Sequence, residues 1–226
     1  MNIKAKVKSW FVIEKLDFLI SLYIFCTLVS ELMGSKTFPI LTIGTFHLNA
    51  STAIFVLPII FSINDIITEV LGKERTKSLI RSSIIMIFLL SIIAFFFTAL
   101  PPSTRYAKSE PAYDLIFKQT VRISVASLLA FALSDMLDLF IFVKIRERMG
   151  KKALWFRTNV SNIISLLFDT VIFMTLAFYA FDKPFMNNFN FLVSIILPYW
   201  FMKCFMSVIE TPFVYIGVKW LKKEKE

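Results

Sequence analysis

Ionisable side chains stand at helical spacing inside the apolar runs of this chain. Asp65 and Glu69 lie four apart near the end of one run; Arg122, Asp135 and Asp138 fall within another. Asp169 is in a further run, and Lys203 and Glu210 share the last. An ionised group at the centre of a hydrocarbon layer costs at least ~2.5 kcal/mol on insertion scales. Carboxylates and cations retained at that cost line a cavity or a path for something polar. They offer charge-assisted hydrogen bonds and a way to carry a proton. Each has a plainer reading beside this one. Asp169 and Lys203 would also suit a structural ion pair between helices. Asp65 and Glu69 would suit lipid headgroups, and Glu31 an outer-interface position.

Residues three, four and seven apart share a helix face. Thr27, Ser30, Glu31 and Gly34 do so, and Asn64, Asp65, Thr68 and Glu69 cluster at one helix end. Ser124, Ser127, Ser134 and Asp138 form a broad stripe with Asp135 beside it. Arg122 points roughly 160–220° away from that stripe on a regular helix, so it is expected to meet another helix. Thr158, Asn162, Ser165 and Asp169 align, as do Lys203, Ser207 and Glu210. An isolated Ser or Thr in such a setting more often packs or bonds back to its own helix.

Other chemistries find no footing. His47 is the single histidine, and Cys26 and Cys204 both sit mid-run as small apolar residues, so no metal or disulfide framework exists. Neither a nucleophile–base signature nor a nucleotide-binding loop is present. The expectation is a protein that is not an enzyme and holds no cofactor.

The elements that carry these residues follow from hydropathy. The chain has 226 residues, 57% hydrophobic, with 26 Phe and only five Gly. A soluble domain is nearer ~45–50% apolar. Runs of about 20 apolar residues, the length that crosses a bilayer core, recur at Leu16–Met33, Phe46–Ile67, Leu79–Leu100, Leu115–Ile145, Val160–Phe181 and Phe191–Val218. The fold class expected is all-α, a polytopic bundle of six transmembrane helices over residues 16–218. A cytoplasmic N-terminal segment, 1–15, precedes it and a basic tail, 219–226, follows. The first run holds Asp17 and Glu31 and lacks a small-residue cleavage site, so it reads as a retained helix. The third run is nearly all apolar with scattered serines and is expected to face lipid. Ile40–Leu48, around Gly44, alternates weakly and suits a short hairpin.

Basic residues set the orientation. Eighteen of the 25 Lys and Arg fall before the first run, between the second and third, between the fourth and fifth, and after the sixth. Only Lys36, Arg105, Lys108, Lys118 and Lys183 occupy the alternate loops. Both termini are therefore expected on the cytoplasmic side of a bacterial inner membrane. The net charge of +9 is a topology signal, with no nucleic-acid surface implied.

Four motifs in register carry a family resemblance. They are Pro58-x-x-Phe61-x-x-Asn64-Asp65-x-x-Thr68-Glu69-Val70-x-Gly72; Arg122-x-x-x-Ala126-Ser127 running on to Asp138; Trp155-Phe156-Arg157-x-Asn159-x-Ser161 continuing to Asp169-Thr170; and Lys203 followed by Thr211-Pro212-Phe213-x-Tyr215. The chain resembles the bacterial queuosine precursor transporter family, also called the vitamin uptake transporter family, over roughly residues 16–218. Asp135, Leu166 and Glu210 depart from the family pattern. The resemblance implies an importer of 7-deazaguanine-type bases, such as 7-cyano-7-deazaguanine, that supplies the tRNA modification queuosine. It implies a small-molecule 7-deazapurine partner in a membrane lipid setting and leaves a homo-oligomer open. The implied binding or transport residues are Glu31, Asn64, Asp65, Glu69, Arg122, Asp135, Asp138, Asn159, Asn162, Asp169, Lys203 and Glu210. A guanine-like edge offers two adjacent N–H donors that one carboxylate accepts together. Asn159 or Asn162 would satisfy a ring carbonyl.

The alternative is the substrate-binding subunit of an energy-coupling-factor vitamin transporter. That would need small residues on the first helix for docking an ATPase, and Leu22-Tyr23-Ile24-Phe25 is bulky there.

Overall fold

A computed structural model describes residues 13–43, 46–149 and 154–222. Helix α1 spans Lys15–Met33. An antiparallel hairpin follows, β1 Thr37–Ile43 and β2 Phe46–Ser51, with a bulge between Pro39 and Leu41. A 3-10 turn, Thr52–Phe55, leads into α2, Leu57–Leu71. Four longer helices complete the chain: α3 Lys73–Thr98, α4 Glu110–Met149, α5 Leu154–Phe178 and α6 Phe185–Lys222.

The mostly helical architecture agrees with the sequence, and so does the hairpin, although its turn at 44–45 lies outside the described residues. The second apolar run is the exception. Its first residues, Phe46–Ser51, form β2, and helix begins only at Leu57. His47, Asn49 and Ser51 alternate with apolar neighbours, a period of two that suits a strand. Pro58 in the first turn then presets helical φ without losing a needed donor.

Gly72 joins α2 to α3 with no loop. Its φ of 86° and ψ of 164° belong to a region open essentially to glycine alone. Gly217 has a different reason: a Cβ there would run into the Ile66 side chain, so its bareness lets α6 approach α2.

Among the described residues, three segments are long and apolar enough to cross a membrane by length and composition: Lys15–Met33, Lys73–Thr98 and Glu110–Ser134. On α3, Leu79, Ser83, Ile87, Ser91 and Ala94 are buried at steps of three and four. Ile85, Phe88, Leu89, Ile92, Phe95 and Phe96 are exposed on its other face. The helix expected to face lipid thus also packs one face against the bundle. An apolar helix suits lipid and protein alike, and its small serines mark the side where neighbours approach closely.

Two of the three apolar clusters among the described residues tie the hairpin and the chain's two ends into the bundle. Leu19, Tyr23 and Cys26 of α1 pack with Ile60, Ile63 and Ile67 of α2 and Leu221 of α6. Ala50 of the hairpin packs with Met174 of α5 and with Leu192, Ile195 and Tyr199 of α6. The base of the hairpin, at Ala50 and Ser51, is therefore wedged into one end of the helix bundle, while Pro39, Ile40, Leu41, Thr42 and His47 are exposed. Tyr199 Oη donates to the Ser51 carbonyl at 3.1 Å, and Asn49 Nδ2 donates to Ser194 Oγ at 2.9 Å.

Candidate functional site

The helices enclose a cavity of about 270 Å³ that receives side chains from all six of them. It is slightly below the ~300–1,000 Å³ usual for small-molecule sites, a size that suits a compact ring system. Helix α1 contributes Thr27, Ser30 and Glu31, and Gly34 follows just beyond its end. This is the polar face read from the sequence, and the whole of it lines the cavity. Thr27 Oγ1 donates to the Tyr23 carbonyl at 2.9 Å and Ser30 Oγ to the Thr27 carbonyl at 2.7 Å. Both hydroxyls therefore serve their own helix. Glu31 is 4% exposed, and its Oε2 has no hydrogen-bond partner. The hydroxyls of Ser127 and Ser124 on α4 are its polar neighbours.

Across the cavity, Lys203 of α6 reaches Asp169 of α5. Its Nζ donates to Asp169 Oδ2 at 2.7 Å and to Thr170 Oγ1 at 3.2 Å. Ser134 Oγ of α4 lies 3.5 Å from the other carboxylate oxygen. The Lys203 side chain is 11% exposed and that of Asp169 26%, and both line the cavity. A pair so placed is a polar wall inside an apolar bundle. Asn64 adds an amide from α2 whose Oδ1 is buried and unpartnered. Aromatic rings supply flat apolar surface, among them Phe61, Phe131 and Phe173.

Other candidates stand elsewhere. Asp65 and Glu69 share α2 with Asn64 but are exposed and do not line the cavity. Arg122 meets another helix, as its angular position required, and does not reach Asp169. Its Nε donates to the Leu176 carbonyl at 2.8 Å and its Nη2 to the Tyr179 carbonyl at 2.5 Å. Those carbonyls end α5, where a cation complements both the unpaired acceptors and the helix dipole. Its guanidinium also sits 5.9 Å from the centre of the Phe181 ring. Asp135 and Asp138 are placed on α4, Asn159 and Asn162 on α5, and Glu210 on α6. Their side chains lie outside the described residues, as do those of Trp155, Arg157 and Thr158.

The sequence reading missed Tyr23, Ser51 and Tyr199, which also line the cavity. Tyr199 carried a signal, because it precedes Lys203 by one helical turn.

The family model described as "Putative vitamin uptake transporter" matches residues 51–217. The chain belongs to this family. Vitamin uptake transporter membership and the apolar helices together make it a multi-pass membrane protein of a transport family. The chain is 25% identical over 202 residues to the "Probable queuosine precursor transporter" of Bacillus subtilis (strain 168), covering 89% of this chain and 83% of that one. It is 26% identical over 144 residues to the protein of the same name in Haemophilus influenzae (strain ATCC 51907 / DSM 11121 / KW20 / Rd), covering 63% of this chain and 57% of that one. No solved structure matches the fold.

Proposed function

We propose that this chain imports queuosine precursors, 7-deazaguanine-type bases such as 7-cyano-7-deazaguanine, across a bacterial inner membrane to supply tRNA queuosine modification. The observation that carries the reading is the cavity, a compact enclosure walled by rings and holding Glu31, Asn64 and the Asp169–Lys203 pair. The names of the two relatives point to the cargo class. In this reading the six α-helices are six spans with both termini cytoplasmic, as the alternation of basic residues favours. Glu31, Asn64, Asp169 and Lys203 contact the cargo. Asp65 and Glu69 stand exposed outside the cavity, and Arg122 braces the end of α5. Asp135, Asp138, Asn159, Asn162 and Glu210 continue the polar path on α4, α5 and α6. With no nucleotide-binding loop in the sequence, transport is secondary or facilitated.

The test is uptake. A bacterial strain unable to make 7-deazaguanines and lacking its own importer is given this chain and labelled 7-cyano-7-deazaguanine at nanomolar concentration. Expression should restore label in the cells and queuosine in tRNA. Normal membrane expression with neither gain would refute the assignment.

A further inference from the structure

Of the charged groups that line the cavity, two are already engaged with each other. Asp169 Oδ2 accepts from Lys203 at 2.7 Å. Glu31 is different, because its Oε2 is buried without a partner. The hydroxyls on its own face, Thr27 and Ser30, donate to backbone carbonyls instead. The second unpartnered polar atom lining the cavity, Asn64 Oδ1, is also an acceptor. A buried acceptor left open costs ~1–3 kcal/mol, and more when charged. Both open atoms are acceptors; the Ser124 and Ser127 hydroxyls are Glu31's side-chain donors, and a ligand that completes the site adds N–H groups to the acceptor positions they leave open. A carboxylate accepts best from two parallel donors on one planar edge. Rings at Phe61, Phe131 and Phe173 leave room for a flat ligand.

We infer that Glu31 is the specificity-determining acceptor of the site, taking the adjacent ring N–H and exocyclic amino group of a 2-amino-lactam heterocycle. The inference rests on the import reading and deepens it. The Glu31 carboxylate receives the donor edge, Asn64 meets a neighbouring ring N–H, and the Asp169–Lys203 pair is left to the opposite edge. A heterocycle with hydrogen in place of the amino group gives Glu31 only one donor and leaves an acceptor open. Such a site strongly rejects the analogue that lacks the group it was built to bond.

The experiment compares two ligands on the full-length protein in lipid nanodiscs: 7-cyano-7-deazaguanine and the same molecule without its 2-amino group. Binding is read by calorimetry. Wild type should prefer the amino compound at least tenfold. Glu31→Gln presents one acceptor and turns an N–H toward the ligand's own N–H, so the preference should fall to within twofold while the desamino compound loses little. Glu31→Asp keeps the carboxylate and should keep a preference of fivefold or more, with weaker binding of both. Melting curves verify that each variant is folded, and if Glu31→Gln does not fold, the Glu31→Asp result decides. An unchanged preference in folded Glu31→Gln, or its loss in Glu31→Asp, overturns the assignment of Glu31 and leaves the import reading standing. Wild-type protein that binds neither compound overturns the import reading and the assignment with it.

Discussion

Asp169 and Lys203 hold each other at 2.7 Å inside an apolar bundle, so neither is removed without consequence for the other. Breaking a buried pair by neutralising one member costs ~3–5 kcal/mol, whereas replacing both is often close to neutral. Partial exposure to the cavity puts this pair at or below the lower end of that range. Asp169→Asn should lower the melting temperature in detergent, and adding Lys203→Met should restore it. Uptake separates structure from transport: the double variant should stay at least tenfold impaired if the pair meets the cargo. Full recovery of both would mark the pair as structural only. Asn64 and Glu69 offer a second contrast at this scale. Asn64→Leu should cut uptake at least fivefold, because it fills the cavity wall and removes an open acceptor. Glu69→Gln, outside the cavity, should cost less than twofold, and a larger loss at equal expression would refute that placement. The polar face of α1 was legible because Thr27, Ser30, Glu31 and Gly34 repeat at helical spacing. Tyr199 was not, because a tyrosine in an apolar run reads as packing until its hydroxyl is seen on the Ser51 carbonyl.

The elements that hold these residues depend on two joints. One is Gly72, whose φ of 86° lets α3 start immediately after α2. Gly72→Ala meets no neighbour within 4 Å, so its cost is purely backbone. The conformation is worth ~1–3 kcal/mol against a residue with a Cβ, and the variant should melt correspondingly lower with the cavity-lining residues unchanged. The other joint is the Tyr199–Ser51 bond that fixes the wedged hairpin to α6. Tyr199→Phe removes one neutral hydrogen bond, worth ~1 kcal/mol net, and leaves the ring packing. Limited proteolysis between β1 and β2 should become faster in that variant, and an unchanged rate would show that packing alone seats the hairpin. Weak alternation over Ile40–Leu48 made the hairpin readable, but the apolar average from Phe46 onward had absorbed its second strand into the second span. Window averages cannot separate a buried strand from the start of a helix when both are apolar. The inward face of α3 was hidden for a related reason, since composition reports hydrophobicity and not what lies against it.

At the scale of the molecule, the proposed orientation puts both termini in the cytoplasm. A reporter active only in the periplasm, fused after Glu226, should be silent, while the same reporter placed in the 101–109 connection should be active. The opposite pattern would refute the orientation. The apolar extent of the chain was legible from its sequence because hydrocarbon selects side chains along whole runs. The meeting of Glu31, Asn64, Asp169 and Lys203 around one space was not, because it depends on how the helices rotate against each other.

Helix α4 runs unbroken over 40 residues, Glu110–Met149, and its 110–134 part is among the described segments apolar enough to cross a membrane. At 1.5 Å per residue the whole helix is about 60 Å long, roughly twice the ~30 Å of a hydrocarbon core. One continuous hydrogen-bonded rod therefore passes through two solvents. Amide deuterium uptake in nanodiscs should be slow where the helix crosses the hydrocarbon and faster toward its basic end at Lys144, Arg146 and Arg148, with no break in the helix to account for the difference.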